Sequence, residues 1–136
     1  MERFFTIAFF TLISISISAQ VDNDECLSAF FIPDITDYCS GPNAFTTEGA
    51  TPSAGGNPDC WPQGTESNDV WFLFNPTATA MNIRVIGETS EGVGTLVEPS
   101  MAIYIGTCRG LSLVGCNSVQ PGDPNLSVLT LDDLVI

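Results

Sequence analysis

The stretch Asn68-Asp69-Val70-Trp71-Phe72-Leu73-Phe74 decides the fold of this chain. A polar Asn-Asp pair opens it, five apolar residues follow, and Asn75-Pro76 closes it. A short run of β-branched and aromatic residues between turn-forming residues predicts a β-strand over residues 70–74. Both faces of this strand carry apolar side chains. We therefore expect it to be central in its sheet, with Trp71 in the core.

The rest of the chain has the same character of short apolar runs separated by turn-forming residues. It holds 12 glycines and 9 prolines, and only residues 23–29, with Asn23 as the cap, suit a helical turn. Strands spaced by roughly 10 to 20 residues predict an all-β, antiparallel β-sandwich with jelly-roll or Greek-key connections. The other predicted strands are 44–47, 81–86, 101–105, 111–114 and 126–131, with a short pairing segment at 49–51.

The first twenty residues, MERFFTIAFFTLISISISAQ, have the pattern of a secretory signal peptide. Arg3 supplies a positive start, an apolar run follows, and Ala19 precedes the expected cleavage before Gln20. The run of about 14 residues is shorter than the roughly 20 that a membrane-spanning helix needs. We therefore expect a signal peptide at 1–19 and one β-sandwich module at 20–136. The protein would be secreted or held at the cell surface, with no membrane insertion after cleavage.

The charge of the chain excludes several classes of function. It has 16 acidic residues, three basic residues and no histidine, for a net charge of −13. Nucleic acids and anionic membranes repel such a chain, because binding them requires clustered lysine or arginine. Without histidine it has no serine triad, cysteine dyad or histidine zinc site. The sequence also cannot place two carboxylates opposite each other for glycoside hydrolysis, so we expect no enzyme activity.

All five cysteines follow the signal peptide, and an exported chain makes disulfides the expected state. Cys108 and Cys116 flank a predicted strand turn, which favours a bridge between them. Cys39 paired with Cys60 is favoured over Cys26 paired with Cys39. Since five is an odd number, one cysteine lacks a partner within this sequence, and in this scheme it is Cys26.

Trp61 and a set of aspartates are two further candidate sites, and each also suits a structural role. Trp61 follows Cys60 in a loop, where it would either stack on a sugar or pack over a disulfide. Asp22, Asp24 and Asp69 are candidate calcium ligands, since calcium takes six to eight oxygens. No EF-hand spacing organises these residues, and Asp69 suits an Asx turn that opens its strand. No metal ligand or other cofactor is therefore assigned.

Seven short motifs occur in order along almost the whole chain after the signal peptide. They are Asn23-Asp24-Glu25-Cys26, Tyr38-Cys39-Ser40, Gly49-Ala50-Thr51, Asp59-Cys60, Asn68-Asp69-Val70-Trp71-Phe72-x-Phe74, Ala102-Ile103-Tyr104-x-Gly106-x-Cys108 and Leu113-Val114-Gly115-Cys116.

This ordered set resembles the cysteine-containing β-sandwich module repeated in large secreted and surface proteins of gliding, polysaccharide-degrading bacteria, which commonly end in a type IX secretion sorting domain. It also looks related to jelly-roll accessory domains of the pre-peptidase C-terminal type. The resemblance covers about residues 22–134. It implies a non-catalytic adhesion or interaction module of a multidomain protein, with neighbouring domains of the same polypeptide, extracellular polysaccharide or protein as partners. The alternative is a carbohydrate-binding, calcium-assisted accessory domain of a secreted hydrolase.

The resemblance also bears on the end of the sequence. The family continues past a segment like residues 131–134, through a Pro-Gly turn, into an aromatic-rich strand that often carries a cysteine. This implies that the module is C-terminally truncated and lacks its closing strand, and that the partner of Cys26 lies downstream of Ile136. The apolar residues at 134–136 lead to the same expectation.

Overall fold

The computed structural model describes residues 21–53, 57–61, 67–88, 94–119 and 121–136. The predicted signal peptide at 1–19 lies outside the described residues. Within the described ranges, the single helix is a 3-10 turn at Cys26–Ser28. None of the helical structure there has the length and apolar character that crossing a membrane requires.

The regular secondary structure of the described residues is almost entirely β-strand, as predicted. These strands pair into three two-stranded sheets. β1 and β2 run parallel, whereas β3 pairs with β6 and β4 pairs with β5 in antiparallel fashion. The strands are β1 (Phe30–Ile32), β2 (Phe72–Phe74), β3 (Met81–Ile86), β4 (Met101–Thr107), β5 (Gly110–Asn117) and β6 (Leu126–Leu131).

The alternation in β3 is the pattern that its sequence predicts. Met81, Ile83 and Val85 are half-buried, and the residues between them are exposed. Arg84 lies opposite Val128 of β6, with its side chain on the exposed face. The position of Arg84 on the polar face of its strand is therefore confirmed.

Replacing Arg84 with glutamine is expected to lower the free energy of unfolding by at most about 1 kcal/mol, because exposed charges contribute little. Denaturant unfolding of Arg84→Gln beside the unmodified chain measures this. A loss of several kcal/mol would show that Arg84 is a buried charge partner.

The region before β2 differs from the prediction. Residues 44–47 and 49–51 form no strand, whereas residues 30–32 form β1. Phe45 instead packs ring edges against Phe30 and Phe72, with centroids 5.0 and 4.7 Å away. The three-residue strand before Pro33 is too short to show alternation, so its pattern cannot be recognised in the sequence.

The expectation that β2 is central in its sheet is wrong for the described residues. β2 pairs with β1 alone, and Leu73 is 55% exposed. Trp71 lies just before the strand and is half-buried. Apolar residues on both faces here belong to a short strand pair whose faces are only partly covered, and this has the same sequence pattern as a covered central strand.

The β4–β5 hairpin packs against β6. A side chain at Gly115 would place its Cβ 3.0 Å from Leu131 Cδ2 and 3.5 Å from Leu129 Cδ1. Asn117 Nδ2 donates a hydrogen bond to the Val128 carbonyl at 2.6 Å. The glycine therefore allows leucines of β6 to approach the hairpin closely.

Two disulfides hold this hairpin at its two ends. Cys108, in the turn after β4, is bonded to Cys26, with Cα atoms 5.7 Å apart. Cys116, near the open end of the hairpin, is bonded to Cys60 across a Cα separation of 6.3 Å. Cys39 is exposed and has no disulfide partner. The predicted Cys108–Cys116 and Cys39–Cys60 pairs are wrong, and Cys26 is not the unpaired cysteine.

The hairpin register explains why Cys108 and Cys116 do not pair. Cys116 lies opposite Ala102, at the start of β4, whereas Cys108 lies in the turn beyond Thr107. About six residues of extended strand separate the two ends, or about 20 Å, and a disulfide joins Cα atoms less than about 7 Å apart. Each cysteine therefore bonds to the N-terminal part of the chain that packs at its own end of the hairpin.

Candidate interaction surface

The buried carboxylate of Asp24 holds the segment just before the 3-10 turn at Cys26–Ser28 in place. Asp24 is only 2% exposed. It accepts two hydrogen bonds from Thr51, one from the backbone N–H at 2.5 Å and one from the hydroxyl at 2.8 Å. A buried charge requires such bonds, because removing it from water without them costs several kcal/mol. Asp24 is thus a structural acceptor.

Asp69 makes the same kind of contact with Ser53, two residues after Thr51. It accepts hydrogen bonds from the Ser53 backbone N–H at 2.7 Å and from the Ser53 hydroxyl at 2.5 Å. Trp71 Nε1 donates to the same hydroxyl at 2.9 Å. The predicted local Asx-turn role of Asp69 is therefore wrong, since its carboxylate is bonded to a residue 16 positions away.

Asn23 completes this arrangement, which we call the carboxylate network: Asn23, Asp24, Thr51, Ser53, Asp69 and Trp71. The Trp71 backbone N–H donates to the Asn23 carbonyl at 2.7 Å, and Asn23 Nδ2 donates to the Trp71 carbonyl at 3.1 Å. Asn23 is not a helix cap as predicted, because Glu25 occupies the N-cap position. The network ties the start of the described chain to the start of β2.

Tyr104 of β4 lies against this network, with its ring centroid 5.8 Å from that of Trp71. Burial raises the pKa of the Tyr104 phenol, and the negative charge of Asp69 raises it further. Both effects disfavour the phenolate, because it is poorly solvated and is repelled by the carboxylate.

In a Tyr38→Phe background, which leaves Tyr104 as the single tyrosine, the phenol is expected to ionise above its ordinary pKa of 10.0. Because the folded-state pKa is the raised one, Tyr104 costs no folding stability below pH 10, and the free energy of unfolding falls as the pH rises through the folded-state pKa. Absorbance at 295 nm measures the titration, and adding Asp69→Asn should lower the pKa of Tyr104 part of the way. Ionisation at or below pH 10 in the folded chain would contradict the assignment.

The calcium candidates occupy different environments. Asp24 and Asp69 are hydrogen-bonded within the network, and Asp22 is exposed to solvent. Across the described ranges, no three side chains from histidine, cysteine, aspartate and glutamate come together closely enough to hold a metal ion.

Trp61 is bound to the backbone of a neighbouring strand. Its indole Nε1 donates to the Met101 carbonyl at 3.1 Å, and the side chain is half-buried. Trp61 follows Cys60, which is bonded to β5. The geometry gives Trp61 a packing role beside β4.

The β1–β2 pair, in contrast, has an exposed apolar surface. Phe31 and Leu73 are register partners, so their side chains lie side by side on one face. They are 50% and 55% exposed. On the opposite face, Phe30 and Phe72 are partly exposed and pack with Phe45.

The outer edge of β1 is also unpaired among the described strands. The Phe30 backbone N–H donates to the Trp71 carbonyl at 2.9 Å. In a parallel ladder, alternate residues direct both backbone groups to the same neighbour, so the N–H and C=O of Phe31 point away from β2. No other described strand pairs with this edge. We call Phe31, Leu73 and this edge the β1–β2 surface.

Sequence reasoning missed this surface, although the signal was present. The apolar residues on both faces of the strand at 70–74 were the clue, and a central strand was the interpretation that failed. Comparisons with family models, with curated proteins and with solved structures give no match to this chain. The functional conclusion therefore depends on the geometry of the chain itself.

Proposed function

We propose that this chain is a non-catalytic interaction module of an exported, multidomain protein, and that it binds a protein partner through the β1–β2 surface. The observation that carries the proposal is the pair Phe31 and Leu73, two large apolar side chains lying half exposed beside an open strand edge. Contiguous apolar surface of this kind marks interaction sites in soluble proteins.

Hydrogen bonds and a disulfide hold the segments around this surface in place, which lowers the entropic cost of binding. Asn23 and Phe30 both hydrogen-bond to Trp71, so the ends of β1 and β2 are held together. The Cys26–Cys108 disulfide fastens the helical turn before β1 to the β4–β5 hairpin.

The compartment supports the same proposal. Two disulfides indicate an oxidising extracellular environment. Secretion through the N-terminal signal peptide, attachment at the cell surface and a role in adhesion follow from the sequence expectations and belong to the proposal. The neighbouring domains of the same polypeptide are its first proposed partners.

We also propose that the three strand pairs belong to one β-sandwich of jelly-roll type. The close approach of Gly115 in β5 to Leu129 and Leu131 in β6 supports this, because it brings one strand pair into contact with another.

The alternative, a calcium-assisted carbohydrate-binding module, has less support. The nitrogen of Trp61 is bonded to Met101, and the carboxylates of Asp24 and Asp69 are bonded to Thr51 and Ser53. Saturable binding of a soluble polysaccharide that requires calcium would replace the proposal by this alternative.

Export is tested by producing the full chain from Met1 in a bacterial host and measuring the mass of the protein recovered outside the cytoplasm. We expect a chain that begins at Gln20 and contains two disulfides. An uncleaved, reduced chain retained in the cytoplasm would contradict the proposed localisation.

The surface itself is tested with the neutral dye Nile red, whose fluorescence reports accessible apolar surface. The double variant Phe31→Thr/Leu73→Thr should give a smaller fluorescence enhancement than the unmodified chain and than Ile105→Thr. Ile105→Thr is the matched control, since Ile105 is 60% exposed but lies on β4. An unchanged enhancement in the double variant would contradict the assignment of the interaction surface.

A further inference from the structure

We infer that the partner of the β1–β2 surface is an extended apolar segment flanked by lysine or arginine, which a protein partner adds as a strand to the edge of β1. This inference rests on the proposed function and specifies the chemistry of the partner. It follows from three features that coincide at this place in the fold: an apolar face, an open strand edge and charge of one sign.

The charge is the feature that selects the partner. Between residues 21 and 83 the chain carries nine acidic residues and no basic residue. Several of these acids are exposed to solvent and lie close in sequence to the β1–β2 surface. Glu25 lies in the segment before β1, and Asp34 and Asp37 follow β1 by two and five residues. Glu48 is exposed three residues after Phe45, whose ring contacts β1 and β2.

One of these acids is held in its charged form. The Thr36 backbone N–H donates to Asp34 Oδ1 at 2.9 Å, and this bond holds the pKa of Asp34 below its usual value. The rim beyond the end of β1 is therefore anionic at neutral and mildly acidic pH. A cationic side chain that follows an apolar strand would face it.

The edge selects an extended segment. The backbone N–H and C=O of Phe31 point outward and suit the main-chain hydrogen bonds of an added strand. Because side chains of a strand alternate between faces, an added strand would place one set beside Phe31 and the other beside Phe30. Both sets meet apolar neighbours, so the inserted residues must be apolar, and the charges must lie at their ends.

A second copy of this chain is a poorer occupant. Each copy carries a net charge of −13, and β1 itself is flanked by acids, so two such edges repel each other. Anionic lipids and nucleic acids are repelled for the same reason.

The test uses the full oxidised chain as exported and a fluorescein-labelled, end-blocked peptide, KKVVVKK, whose three apolar residues match the length of β1. Two matched peptides separate the contributions: KKSSSKK keeps the charge, and EEVVVEE keeps the apolar residues. Fluorescence anisotropy at about 0.15 M salt measures the dissociation constants, because screening at that ionic strength suppresses diffuse attraction. Near-UV circular dichroism and non-reducing peptide maps confirm that each protein variant keeps its fold.

We expect KKVVVKK to bind at least tenfold more tightly than either matched peptide. Phe31→Thr and Leu73→Thr should each weaken it at least fivefold, whereas Ile105→Thr should leave it unchanged. Equal binding of KKSSSKK would overturn the inference by showing charge attraction alone. Equal binding of EEVVVEE would overturn the cationic partner and leave the interaction surface standing.

Sedimentation analysis completes the experiment. Self-association that Phe31→Thr abolishes would assign the surface to a second copy and overturn the inferred partner, while the proposed interaction function would survive. If no peptide binds although the Nile red result holds, the inferred partner fails alone. If the Nile red result fails as well, the proposed surface fails with it.

Discussion

The double variant Cys26→Ser/Cys108→Ser is expected to lose about 4 to 5 kcal/mol of unfolding free energy. The bridge joins residues 82 positions apart, and the chain-entropy model assigns about that much to a loop of this length. Domains of this kind have a total stability of about 5 to 15 kcal/mol. Removing the bridge therefore brings the chain close to unfolding at room temperature, which denaturant titration followed by circular dichroism measures.

Cys39→Ser is the matched control for this experiment. Cys39 is exposed and unpaired, so its replacement should change the free energy of unfolding by less than about 0.5 kcal/mol, as for surface substitutions in general. Peptide mapping under non-reducing conditions should recover Cys26 linked to Cys108, Cys60 linked to Cys116, and Cys39 alkylated without reduction. A peptide joining Cys108 to Cys116 would contradict the structure and restore the pairing that sequence spacing favoured.

Asp24→Ala is expected to cost about 2 to 3 kcal/mol. The carboxylate accepts both the backbone N–H and the hydroxyl of Thr51, and hydrogen bonds to a charged group are worth about 1.5 to 3 kcal/mol each. The expected loss is less than the sum of two such bonds because Thr51 is exposed. In the variant, water can therefore accept hydrogen bonds from the Thr51 N–H and hydroxyl. Thermal and denaturant unfolding measure the loss.

Two variants separate the role of Asp24 from a general effect of charge. Asp22→Ala removes an equal charge at an exposed position two residues away and should cost less than about 0.5 kcal/mol. Thr51→Val keeps the backbone N–H and removes the hydroxyl, so it should cost about half as much as Asp24→Ala. Equal losses for Asp22→Ala and Asp24→Ala would show that net charge, and not the bond to Thr51, is responsible.

Local pattern was enough to predict the long strands. β3 and β6 have the bounds that alternation predicts, 81–86 and 126–131, and β4 and β5 lie around the predicted 101–105 and 111–114. β4 is an apolar run between Pro99-Ser100 and Gly106, whereas β3, β5 and β6 contain enough alternating residues for the period of two to appear. β1 does not, and its three residues take their conformation from pairing with β2.

The roles of the acids required the tertiary structure. In the sequence, Asp24 and Asp69 are two among 16 acidic residues, and nothing local distinguishes them from solvated surface charges. They differ because the fold brings Thr51 and Ser53 within hydrogen-bonding distance of them. The same folding buries one of these carboxylates and leaves Asp22, two residues away, exposed.

The sequence by itself determined the strand-rich class, the strong negative charge, the exposed face of Arg84 and the absence of histidine chemistry, because composition and period-two alternation are local properties of the chain. The tertiary structure alone decided which cysteines pair, which carboxylates become structural and which apolar residues stay uncovered. These outcomes depend on which segments meet. Cys108 and Cys116 are close in sequence, but an extended hairpin holds them at opposite ends, where each meets a cysteine from the N-terminal part of the chain.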